Sequence, residues 1–231
     1  MHTTPHAQPQ PSARRPEEAL AVALTSPNSS ARLQAAMTAG SRPRAEYVEV
    51  LVARSGVEPD FSVRETLTWA LTQHPVDDVL PRVLEELRSA VPRAVAQALH
   101  TVSKLGDERA WPAITHAHLH SPDDEIARTA WRAAAAVAPE SAHHALAVEL
   151  ARELGRGDID TMRSLSRALA TLGEAAAGPV SAAAALRGGD AAVASHAGAT
   201  ERLIADPDAA FAFDPADAAR YARAFSATSG N

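Results

Sequence analysis

The sequence predicts an all-α solenoid, a row of stacked helical hairpins. A turn phrase recurs along it: Pro27-Asn28, Pro59-Asp60, Pro122-Asp123, Gly157-Asp158 and Gly189-Asp190 each close one apolar stretch and open the next. The beat is about 32 residues, with a doubled step over the degenerate copy Ser89-Ala90-Val91-Pro92, and a fixed period of that size marks a repeat architecture. Ala supplies roughly a quarter of the 231 residues, and Ala combines the strongest helix propensity with a side chain small enough for close helix packing. Only 4% of residues are aromatic against 46% hydrophobic, so the core is expected to be a thin stripe along the stack rather than a ball.

Taken in order, residues 1–16 hold Pro, Gln and His without periodicity and read as a disordered leader. Six helical pairs follow at approximately 17–43, 44–75, 76–107, 108–139, 140–174 and 175–205, each a first helix, the turn phrase and a second helix. Gly40-Ser41-Arg42-Pro43, His74-Pro75, Gly106-Asp107, Ala138-Pro139 and Gly173-Glu174 join the pairs, because Gly ends a helix and Pro forbids its continuation. Residues 206–231 read as a closing helix that opens at Asp214-Pro215 and frays from Ser226. That segment gathers Phe211, Phe213, Tyr221 and Phe225. A solenoid needs its open end covered, so this helix is expected to seal the sixth pair and keep the protein monomeric.

The second helices carry a family resemblance. Pro59-Asp60-Phe61-Ser62-Val63-Arg64-Glu65-Thr66-Leu67, Pro122-Asp123-Asp124-Glu125-Ile126-Ala127-Arg128-Thr129-Ala130 and Lys104-Leu105-Gly106-Asp107 resemble the D-x-x-V-R-x-x-A … L-G-D pattern of HEAT repeats, in the bacterial phycobilin-lyase-like variety, over about residues 17–205. The Val-Arg pair is complete only at Val63-Arg64. The resemblance implies a right-handed superhelix of about six HEAT-like hairpins with a C-terminal capping helix, and a scaffold or adaptor role. It also implies structural duties for Asp60 and Arg64, which in such repeats join neighbouring units by hydrogen bonds.

Net charge is -6, which by itself discourages a nucleic-acid partner. Cysteine is absent, so disulfides and thiolate metal sites are excluded. No apolar window reaches the length of a membrane span, and the pair Arg14-Arg15 precedes no apolar run; a cytoplasmic protein is expected.

Beneath the net charge lies a one-sided pattern. If Val95, Leu99 and Val102 face the core, Arg93, Gln97, His100 and Lys104 face out; if Ile126, Ala130, Ala133 and Val137 face in, Arg128, Trp131 and Arg132 face out. Leu165, Ala168, Leu169 and Leu172 likewise leave Arg163 and Arg167 outside. The acids gather on the first helices, as Glu46, Glu49, Asp77, Asp78, Glu85, Glu86, Glu149 and Glu153. Two readings of this asymmetry stay open. In one, Arg stems cover apolar helix surface and their heads pair with acids of adjacent turns. In the other, the second helices present a basic strip bearing Trp131 that binds a protein or acidic peptide partner, or a phosphate backbone.

Catalytic signals are sparse. His116 and His120 share a helix face at the i, i+4 spacing of zinc-binding helices, with Asp123 and Asp124 adjacent in sequence, yet His at an exposed helix end is ordinarily solvated, and neither metal nor cofactor is expected. Leu186-Arg187-Gly188-Gly189-Asp190 is a turn in the repeat register rather than a phosphate loop. A non-enzymatic adaptor is therefore expected. Alkylpurine DNA glycosylases, also built from HEAT-like repeats with a basic, Trp-bearing concave face, supply the alternative, but a carboxylate amid the strip is wanting, Glu65 being distant from Arg163 and Arg167.

Overall fold

The computed structural model describes residues 15–187 and 189–207; the expectations for the leader to residue 14, for Gly188 and for the closing helix fall outside them. Six helical layers follow in order. The first pairs α1 (Pro16–Leu24) with α2 (Ser29–Ser41), the second α3 (Tyr47–Ser55) with α4 (Phe61–Thr72), and the third α5 (Val76–Glu86) with α6 (Pro92–Leu105). In the fourth, a 3-10 turn (Glu108–Ala113) and the short α7 (His116–Leu119) precede α8 (Asp124–Val137). The fifth pairs α9 (His143–Ala151) with α10 (Ile159–Thr171), and the sixth α11 (Glu174–Leu186) with α12 (Ala191–Ala205). Among the described residues there is no strand, and no helix is long and apolar enough to cross a membrane. The described residues form an all-α solenoid of stacked helical pairs.

The turn phrase is a helix N-cap. Asn28 Oδ1 accepts from the Ser30 N–H at 2.9 Å, Asp60 from Val63 at 3.1 Å, Asp123 from Glu125 and Ile126, Asp158 from Thr161 at 2.8 Å, and Asp190 from Ala192 and Val193. Each bond satisfies an N–H that the first helical turn leaves without a partner. The degenerate copy shows the alternative: Val91 offers no side-chain cap, and Pro92 starts α6 with its ring preset for the first helical position. At the far end of α6, Gly106 adopts φ 63°, the left-handed cap that ends the helix.

Layers stack like on like. The second helices pack in the rows α2 on α4, α4 on α6, α6 on α8, α8 on α10 and α10 on α12, and first helices pack as α1 on α3, α3 on α5 and α9 on α11. The core runs between the two rows through Leu24, Leu51, Leu67, Leu99, Trp131, Leu150, Leu165 and Leu169, all essentially inaccessible to water. An interior second helix is therefore covered on three sides, by its own first helix and by the second helices before and after it. Only a strip about one residue wide per turn is left open.

Polar bonds join the layers at close to the repeat spacing. Glu58, fully buried, receives Arg32 of the first layer through Nε (2.8 Å) and Nη2 (2.7 Å), and Arg54 of its own layer at 2.6 Å. Burial alone would push this carboxyl up; Arg32, the Asp60 N–H and Arg54 outweigh it and hold it at about 2. Arg109 reaches Asp77, and Arg156 reaches Asp124 and the Ser121 carbonyl. Arg64 behaves otherwise than the resemblance implied: its Nη1 donates to the Glu58 and Pro59 carbonyls of its own turn, as Arg32 does to Ser26 and Pro27. This arginine closes the loop before its helix, and Glu58 makes the link between layers.

Candidate binding groove on the second helices

The open strips of α4, α6 and α8 line a polar groove of about 1160 Å³. Its walls carry Arg64 and Glu65 from α4, Gln97, His100 and Lys104 from α6, and Glu125, Arg128 and Arg132 from α8, with Phe61 at one edge. On α8 the spacing of Glu125, Arg128 and Arg132 follows the helical turn, so one face of one helix supplies three charged groups to one cleft.

The sequence-selected residues divide on this surface. Lys104, Arg128 and Arg132 line the groove. Among the described residues none of these three forms an ion pair, whereas Arg32, Arg54, Arg82, Arg109, Arg156 and Arg187 each pair with a carboxylate. Burial in the groove wall, together with the Arg128 charge, pushes the Arg132 guanidinium below its ordinary value, with Glu65 pulling the other way. Arg93 is exposed at the first turn of α6, outside the groove lining. Arg163 and Arg167 lie on α10, also outside it; Arg163 Nη1 is 2.6 Å from Asp160, and Arg167 is exposed.

Two expected outward residues are corrected. Trp131 does not face solvent: it is 0% exposed, and its indole N–H donates to the Leu119 carbonyl at 2.8 Å, with the Arg156 guanidinium 5.8 Å from the ring. It lies on a stripe with Ala127, Ala130 and Ala134, all buried, whose small side chains leave room for the indole. Gln97 borders the groove but is 7% exposed, its amide donating to Thr68 Oγ1 at 2.9 Å, so it joins α6 to α4. Its partner Thr68 is buried as well.

His100 is mostly enclosed. Its Nε2 lies 3.1 Å from Glu65 Oε1, but the approach is off-line and leaves that nitrogen without an aligned partner. Burial lowers the His100 pKa, opposed by Glu65 and reinforced by Arg132 and Lys104. The ring therefore stands neutral between a carboxylate and two cations at neutral pH. Phe61, 67% exposed with the Arg64 guanidinium 5.7 Å from its ring, is the aromatic at this groove, and sequence reasoning had passed over it. Its position directly after the N-cap Asp60 puts it on the first turn of α4, where neighbouring layers do not reach.

The histidine cluster lies elsewhere, on the first-helix side. His116 and His120 come together with ring centroids 4.1 Å apart, but Glu149 of α9 and Glu153 of the turn after it, not Asp123 and Asp124, are the acids that meet them.

No protein-family model matches the chain, and neither does any curated protein. Among solved structures the chain is similar to an engineered protein at 22% identity, with TM-score 0.47, over 83% of this chain and 97% of that one. It is similar to the complex of CpcE and CpcF of phycocyanin lyase from Nostoc sp. PCC7120 at 18% identity, TM-score 0.40, over 76% and 85% of the two chains. A designed armadillo repeat protein aligns at 13% identity, TM-score 0.44, over 80% of this chain and 98% of its own.

Proposed function

We propose that the protein is a non-enzymatic adaptor that binds an acidic peptide or an acidic helix of a protein partner in the groove between α4, α6 and α8. The observation that carries this reading is the trio Lys104, Arg128 and Arg132, three cations that form no ion pair among the described residues and line one cleft of an acidic protein. Uncompensated cations in a concave wall raise the local potential and attract an anionic ligand. Arginine forks suit carboxylates in particular, because they donate two parallel N–H bonds. Glu65 and Glu125 in the same walls support a peptide over a continuous phosphate backbone, since a peptide can set a basic or polar side chain against them. Phe61 offers an apolar contact at the rim.

The test uses a fluorescein-labelled poly-glutamate peptide and, in parallel, a short DNA duplex, both followed by anisotropy at low salt. The peptide should bind, its affinity should fall with added salt, and the triple variant Lys104→Glu/Arg128→Glu/Arg132→Glu should lose binding while keeping its circular dichroism spectrum. Equal binding by the variant, or no binding by either protein, overturns the reading. The nucleic-acid alternative loses the exposed aromatic on which it was built, because Trp131 is interior, and gains a carboxylate, because Glu65 lines the groove together with Lys104, Arg128 and Arg132, although Arg163 and Arg167 lie outside it. Tight duplex binding with a steep salt dependence, and none of the peptide, would favour that alternative.

A further inference from the structure

Where the fourth layer meets the fifth, four side chains converge from two elements. His120 Nδ1 makes a short hydrogen bond to Glu153 Oε1, and His120 Nε2 lies 3.1 Å from Glu149 Oε2. His116 Nε2 lies 3.6 Å from that same oxygen. The ligand atoms of His116, His120 and Glu149 all lie within 4.8 Å of one another.

Proton counting makes this arrangement informative. A carboxylate only accepts hydrogen bonds, so the bond to Glu153 assigns the ring proton of a neutral His120 to Nδ1. Nε2 then presents a lone pair to Glu149 Oε2, which is also an acceptor, and the His116 Nε2 lone pair can be turned to the same point. With His120 neutral, two imidazole nitrogens and a carboxylate oxygen face one point that a cation can fill, whereas an imidazolium His120 would donate to both carboxylates. In a tetrahedral zinc site with bonds of 2.0–2.1 Å, neighbouring ligand atoms stand about 3.3 Å apart. The observed 3.1 and 3.6 Å bracket that edge.

The surroundings supply a second, independent sign. A metal-ligating histidine characteristically donates its other ring N–H to a carboxylate, which fixes the tautomer and raises ligand basicity. Glu153 does this for His120, and is itself held by Arg156 Nη1 at 2.9 Å. Glu149 Oε1 is engaged by Arg152 at 3.4 Å, leaving Oε2 for the shared point. None of these residues lines the groove on the second helices.

We propose that His116, His120 and Glu149 bind a divalent transition metal of the zinc class, with Glu153 positioning His120, and that the ion clamps the fourth and fifth repeats together. Imidazole nitrogen favours zinc and its transition-metal neighbours over magnesium or calcium, which prefer all-oxygen sites. The fourth position is left to water.

Chelator-treated full-length protein, titrated with Zn2+ in a calorimeter and with Co2+ in a spectrophotometer, tests this. The expected result is one ion per chain with the visible d–d bands of a four-coordinate cobalt centre, and a melting temperature that rises with Zn2+. His120→Gln and Glu149→Gln should abolish the bands. Glu153→Gln should retain them while weakening affinity by about 10- to 100-fold, as loss of an outer carboxylate does. His116 is largely exposed, so His116→Ala should keep its circular dichroism spectrum yet lose the bands, which separates ligand loss from misfolding. Absence of cobalt bands in the unmodified chain, or unchanged affinity in His116→Ala or Glu149→Gln, overturns the proposal.

Discussion

Trp131 is the largest fully buried side chain in the described structure, and its burial follows from the stacking of repeats more than from the periodicity of its own helix. Taken as an isolated amphipathic helix, α8 can place Ile126, Ala130, Ala133 and Val137 inward and leave Trp131 on a flank. Inside the stack, α6 and α10 cover both flanks, and a flank residue becomes interior. Replacing Trp131 by Ala should cost about 3–5 kcal/mol, through lost transfer energy and the cavity left behind. Trp131→Phe keeps most of the ring but leaves the Leu119 carbonyl without its N–H, which should cost about 1–3 kcal/mol. Urea unfolding of the two variants checks both values, and an unchanged midpoint for Trp131→Phe would show that the hydrogen bond contributes nothing.

Between elements, α2 and α4 approach closely at Gly40. A Cβ at Gly40 would stand 2.5 Å from Trp69 Cζ3 and 2.8 Å from Ala70 Cα, and the second of these is backbone that cannot swing aside. Gly40→Ala should therefore force the helices apart and cost about 1–3 kcal/mol, read as a lowered urea midpoint. Gly40 was taken from the sequence as a joint between pairs, because Gly before Ser-Arg-Pro signals a helix end. It lies inside α2 and serves packing instead.

A second contact between elements is pH-sensitive. His196 of α12 is 0% exposed; its Nδ1 accepts from the Gly155 N–H at 3.0 Å, and its Nε2 faces the Met162 carbonyl at 2.9 Å and Ser166 Oγ at 2.9 Å. Burial drives its pKa down from 6.5 to about 4, with the Met162 carbonyl opposing. The unfolded chain therefore binds this proton more readily than the folded one. The stabilisation is complete above about pH 6.5 and is lost as pH falls toward 4, a change of about 3 kcal/mol. His100 contributes with the same sign. Denaturation midpoints between pH 7 and 4.5 should show this decline, and His196→Gln should flatten it. An equally steep decline in the variant would assign it to other groups.

Across the whole molecule, the repeat class was legible because it rests on the positions of the N-caps, and a polar cap stands before every second helix except α6, even where other motif residues differ. The first candidate site was half legible. Lys104, Arg128 and Arg132 could be placed by helical spacing, because each sits at the centre of an open strip. Gln97 and Trp131 could not, because the neighbouring layers that cover them lie about 30 residues away in sequence and no local pattern encodes that distance. The same blindness hid Glu149 and Glu153 from the histidines they meet.

Because each layer touches chiefly its neighbours, damage at one joint should stay there. The joint between the first and second layers depends on Glu58, buried between Arg32 and Arg54. Glu58→Gln keeps the shape but removes the charge that both guanidiniums share, and breaking a buried pair from one side costs about 3–5 kcal/mol. The first layer has a neighbour on one side only among the described residues, so it has no second interface to retain it. Amide exchange should then show α1 and α2 losing protection by orders of magnitude, whereas α8, α10 and α12 exchange as in the unmodified chain. Uniform loss along all the helices would mean that the stack unfolds as one cooperative body, and that nearest-neighbour coupling does not describe it.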